Sequence, residues 1–74
     1  MTRLEMLNAL RADVDVLARA EETSVLGALP GWDSLAILLV VSHCEHVHDL
    51  EVRGPQIRAC HTVADLLDLI ESLS

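Results

Sequence analysis

Ser34 has the setting in this chain that raises a chemical question first. It stands between Asp33 and Leu35, after the turn-rich approach Gly27-Ala28-Leu29-Pro30-Gly31-Trp32. A nucleophilic serine needs a base within hydrogen-bond reach, and the base needs an orienting group. Four histidines are available, but His43, His46 and His48 lie nine to fourteen residues beyond Ser34 on what should be the same helix. At a rise of ~1.5 Å per residue that is more than ~13 Å along the axis. Nothing in the sequence brings His61 back to the serine, and no G-x-S-x-G elbow is present. The spacing argues against a hydrolase, and the expectation is that the chain is not an enzyme. A serine exposed at a helix start without a catalytic partner is instead well placed to be modified.

Cys44 and His48, at i,i+4 on one helix face, and the adjacent Cys60-His61 contain the donor types of a tetrahedral zinc site. Neighbouring helical residues point about 100° apart, so Cys60-His61 is a poor ligand pair. The competing reading makes Cys44 and Cys60 small apolar core residues, with His48 at the core edge. It is preferred, and no metal site is assigned. His43 and His46 are expected to be solvated, as are Glu21-Glu22 and the carboxylates Asp65, Asp68 and Glu71.

The elements that must position Ser34 follow from caps and periodicity. Thr2-Arg3-Leu4-Glu5 reads as a capping box opening a first helix to about Ala12, with Leu4, Leu7 and Leu10 as its stripe and Met6 beside it. Residues 17 to 33 are irregular, since Gly27, Pro30 and Gly31 forbid a continuous helix. Leu26, Leu29 and Trp32 are spaced to pin that long loop onto the core. A second helix starts at Asp33 or Ser34 and reaches about His48. Its buried face is Ile37, Val40, Val41, Cys44 and His48; its other side carries Leu35, Leu38, Leu39 and Ser42 before Glu45 and His46. Pro55 suits the first turn of a short helix through Cys60. Thr62, with Asp65 in the capping-box position, opens a last helix with the apolar face Val63, Leu66, Leu67, Ile70 and Leu73. The fold class is all-α, a small four-helix bundle over residues 1–74 as one domain, with a long first loop and a short third helix.

Composition narrows the function classes. The 74 residues hold twelve carboxylates against five arginines and no lysine, a formal charge of −7. Nucleic-acid binding needs a basic footprint and is not expected. The apolar runs are shorter than the ~18 residues of a membrane span, and the N-terminus has no signal-like apolar region, so the expectation is a cytoplasmic monomer without membrane insertion. Partners with basic patches fit such a surface. An anion on Ser34 would meet the positive end of the second helix, and Leu35, Leu38 and Leu39 beside it form an apolar patch of the kind that marks an interaction site.

On these residues the chain resembles the phosphopantetheine-binding acyl carrier proteins. The resemblance rests on Leu26, on Gly31-Trp32-Asp33-Ser34-Leu35, on Glu45 toward the end of the second helix, and on Thr62-Val63 opening the last one. It implies an acyl-carrier type of bundle in which Ser34 receives a 4′-phosphopantetheine arm from coenzyme A, attached by a Mg²⁺-dependent phosphopantetheinyl transferase, with Asp33 part of the motif. The arm's thiol would carry acyl groups between loading and processing enzymes such as ligases, ketosynthases or acyltransferases. Leu35 and Leu38 match partner-contacting positions, to which Leu39 and Ser42 on the same side are added. The chain also departs from the family pattern. Positions matching Ala36 and Leu39 are commonly carboxylates, which implies docking through apolar contact. His48 stands where Phe is typical and Cys60 where Ile is, which implies a specialised or secondary-metabolite carrier. Two alternatives stay open: an aminoacyl or peptidyl carrier, and a non-enzymatic adaptor docking through Leu35, Leu38 and Leu39.

Overall fold

A computed structural model describes residues 1–74. Four α-helices form: α1 over Arg3–Asp13, α2 over Ser34–His48, α3 over Gly54–Arg58 and α4 over Val63–Leu73. Single 3₁₀ turns at Asp15–Leu17 and Leu26–Ala28 lie in the connection between α1 and α2. There is no β-strand, only one antiparallel bridge between Val25 and Thr62. The architecture is all-α, and no helix is long and apolar enough to cross a membrane.

Caps set the boundaries. Thr2 and Glu5 form a reciprocal capping box at α1, and Thr62 and Asp65 form another at α4. Each box satisfies two backbone donors that a helix start leaves without partners. The carboxyls of Glu5 and Asp65 are held below their ordinary values chiefly by the backbone N–H bonds they accept. α1 ends at Asp13, one residue beyond the expected end. α3 starts one residue earlier than Pro55 and stops at Arg58, two short of Cys60. α2 closes at Asp49, whose left-handed backbone (φ 54°) lets the Leu50 N–H donate to the Cys44 carbonyl at 3.1 Å.

Aliphatic side chains from all four helices fill one core, and α2 packs on both α1 and α3 while α1 packs on α4. Burying each large aliphatic side chain completely, as at Leu10, Leu17, Leu26 and Ile57, is worth about 1.5–3 kcal/mol. Some expected core positions differ. Leu4 and Leu73 are exposed, and Met6 takes the core position on α1 in place of Leu4. Cys60, Val41 and His48 are only half-buried. On α2 the buried face is Ala36, Ile37, Val40, His43 and Cys44, rotated by about half a residue from the expected stripe.

The long connection is tied down mainly through its backbone. Leu26 N–H donates to the His61 carbonyl, and Val63 N–H to the Ser24 carbonyl, both at 3.0 Å. Arg3 adds a hub: its guanidinium reaches Glu22 and Asp68 at 2.7 Å and Glu71 at 3.1 Å, and donates to the Ala64 carbonyl. Leu26 is fully buried, whereas Leu29 and Trp32 are half-buried against the core. The loop thus enters α2 from a fixed direction.

Candidate functional site

Asp33 starts the site. Its backbone is extended (φ −141°, ψ −170°), and its carboxylate accepts from the Ala36 N–H at 3.1 Å. Its carbonyl takes the Ile37 N–H at 3.0 Å. Ser34 is therefore the first residue of α2, as its place after an N-cap aspartate requires. The amides of Ser34 and Leu35 have no acceptor within the protein, and both belong to the electropositive end of a 15-residue helix. The turn before it depends on Gly31 at φ +84°, where an added Cβ would meet Val16 Cγ2 at 3.3 Å.

Ser34 is exposed, and the one side chain bonded to its Oγ is Arg58, whose Nη2 donates at 3.4 Å. No histidine is bonded to it. Arg58 ends α3, and sequence reasoning missed it: only the packing of α3 on α2 brings residue 58 to residue 34. The donors at this helix start, one guanidinium bonded to Ser34 Oγ and two free amides, suit an oxygen anion, and the only carboxylate next to the serine, Asp33, is engaged as the cap on the Ala36 N–H.

Beside the serine, Leu35, Leu38 and Leu39 are 65%, 62% and 42% exposed. They share this side of α2 with Ser42, also exposed, whose Oγ lies 3.5 Å from His46 Nδ1. An open depression of about 370 Å³ lined by Asp13, Leu39, Ser42, His43 and His46 continues the patch toward α1. All four expected partner residues therefore lie on the exposed surface of α2, Leu35 and Leu38 within about one turn of Ser34 and Ser42 about two turns beyond it. Ala36 does not join them: it is buried at 2% exposure, so only Leu39 of the two apolar replacements contributes to the surface.

His43 corrects the expectation of a solvated ring. Its side chain is fully buried, and its Nδ1 lies 2.6 Å from Asp13 Oδ2. It sits seven residues after Ala36 and three after Val40, so helical spacing from those two residues contained the signal. Asp13, thirty residues away, supplies the partner that lets the ring enter the core. The dyad has the form of a base with its orienter, yet His43 Nε2 is buried without a partner and so reaches no hydroxyl. The His48 ring stands edge-on to it at 5.5 Å, its own Nε2 also unpaired. Burial first, then the nearby His43 and the N-terminal ammonium, hold His48 below the ordinary histidine value. His46 is exposed, as expected.

The cysteines are free thiols. Burial pushes Cys44 up to about 11. Cys60 is raised by burial and then by Asp65 and Asp68. Both shifts oppose the thiolate that a nucleophile requires. Cys44, His48, Cys60 and His61 are not brought together as a group that could hold a metal ion. No protein-family profile, curated protein or solved structure was found to match this chain.

Proposed function

We propose that this domain is an acyl carrier protein of the phosphopantetheine-binding family, a four-helix bundle of acyl-carrier type, with Ser34 as the attachment residue. The observation that carries the reading is the setting of Ser34 Oγ. It is exposed at the first residue of α2, capped by Asp33, faced by Arg58 and two unpaired amides, and bordered by exposed leucines. That set fits the phosphodiester through which 4′-phosphopantetheine would be held. In forming it, Ser34 Oγ loses its proton and gains a bond to phosphorus, while the diphosphate bond of coenzyme A breaks and the nucleotide portion leaves.

Asp33 fixes the helix start and so the direction in which Oγ points. Asp33 is committed to the helix cap and no histidine is bonded to Ser34, so a separate Mg²⁺-dependent phosphopantetheinyl transferase would supply the base. When bound, the arm supplies a thiol able to hold an acyl group as a thioester. Leu35, Leu38, Leu39 and Ser42 would then be read by the transferase and by the loading and processing enzymes. The domain itself catalyses nothing on this reading, and coenzyme A and those enzymes place it in a reducing, cytoplasmic setting.

Incubation with a promiscuous transferase, Mg²⁺ and coenzyme A should add ~340 Da to the intact mass, and Ser34→Ala should abolish the gain. An unchanged mass with several transferases, or a gain that survives Ser34→Ala, overturns the reading. The exposure of Leu35 and Leu38 also favours a second reading, an adaptor that binds partners through these leucines alone. It predicts that Leu38→Asp abolishes partner binding while Ser34→Ala preserves it.

A further inference from the structure

The arginines of this acidic chain are mostly occupied. Arg3 pairs with Glu22, Asp68 and Glu71, Arg11 with Glu21, and Arg53 with Glu51. Arg58 has no carboxylate within ion-pair distance, although the chain carries twelve. Its recorded side-chain partner is a neutral hydroxyl, Ser34 Oγ at 3.4 Å. Arg19 is also without a carboxylate, but it contacts no candidate site. A guanidinium kept free of acids and resting on the residue to be modified has a specific use once that hydroxyl becomes an anion.

We propose that Arg58 is a positioning residue for the modified serine: its guanidinium pairs with the phosphodiester on Ser34 and fastens α3 to the start of α2 in the modified protein. This rests on the reading of Ser34 as a phosphopantetheine site. The 3.4 Å contact to Oγ puts the guanidinium beside the phosphate that Oγ would carry, and a charge-assisted pair is stronger than the neutral contact it replaces. Arginine's planar fork can hold two phosphate oxygens together. The arm would thereby leave α2 in a restricted direction, past α3, while Leu35, Leu38 and Leu39 stay open to partners. Modification would also tighten α3, the shortest helix of the bundle.

The test is a charge cycle between positions 34 and 58. Wild type, Arg58→Gln and Arg58→Lys are each melted before and after modification, with conversion verified by intact mass. An anion at a helix start raises the melting temperature in every variant, so the difference between the increments isolates Arg58. The increment should be larger in wild type than in Arg58→Gln by roughly 2–5 °C. Arg58→Lys should keep part of that excess, and about 0.5 M salt should shrink it. Equal increments in wild type and Arg58→Gln overturn the proposal. Ser34→Asp, with and without Arg58→Gln, gives an arm that needs no transferase. There the aspartate should stabilise the protein that retains Arg58 more than the Arg58→Gln variant, and strictly additive effects refute the pairing. A protein that no transferase modifies, but that shows coupling in the Ser34→Asp arm, removes the carrier reading and leaves the Arg58–anion pairing standing.

Discussion

The two ends of α2 handle polarity in opposite ways. At its start, polar and charged groups face outward around Ser34, and leucines are exposed beside them. Toward its end, two of the three histidines turn inward. His43 enters the core on a bond to Asp13, and half-buried His48 keeps an unpaired Nε2. A helix built only for stability would place its leucines inside and its histidines outside. The reversal separates the labour along one helix: the end fixes α2 against α1, and the start is left free to be read by something else.

Substitutions at the two ends should therefore differ sharply. His43→Ala removes a buried ring and orphans its bond to Asp13, which should cost about 2–4 kcal/mol in a denaturant melt. Leu38→Ala, on the exposed side, should cost no more than about 0.5 kcal/mol. Comparable losses at the two positions would mean that the leucines serve the fold and not a partner. Next in size is the turn that delivers the chain to Ser34. Gly31→Ala places a Cβ at positive φ against Val16 and should cost about 1–2 kcal/mol.

Acid should weaken the far end first. His48 is held below its ordinary value, so the unfolded chain binds that proton more readily than the folded one. The contribution is complete above the unfolded value of about 6.5 and is lost as pH falls through it toward the folded value. The melting temperature should decline as pH falls below about 7, and His48→Phe should flatten that part of the curve. The capping carboxylates Glu5 and Asp65 lie below their ordinary values, so their contribution is lost only at lower pH, below about 4. NMR titration of the His48 ring would separate the two windows. One substitution should bring a small gain: Asp49→Gly at the left-handed closing residue should stabilise by about 0.5–1 kcal/mol.

What is legible in the sequence follows the same division. The start of α2 is readable because a cap aspartate, a serine and a run of leucines are local signals, and the Thr2–Glu5 and Thr62–Asp65 boxes are local too. His43 is legible only in part: its spacing from Ala36 and Val40 permits burial, but the partner that makes it tolerable, Asp13, lies thirty residues away, and the buried face is rotated by about half a residue. The same rotation takes Ala36 off the surface and into the core. Arg58 depends on how a five-residue helix docks, and periodicity says nothing about that. The connection before α2 is recognisably irregular from its glycines and proline, but its attachment runs through backbone bonds from Leu26 to His61 and from Val63 to Ser24, which side-chain patterns do not encode.

The central claim concerns Ser34, and the most direct measurement is fragmentation mass spectrometry of the Trp32-to-Leu35 segment from protein recovered from its own cells. The account predicts a phosphopantetheine mass on Ser34, with or without an acyl group on its thiol. A segment in which Ser34 is always unmodified, or a modification carried on another residue, would contradict it.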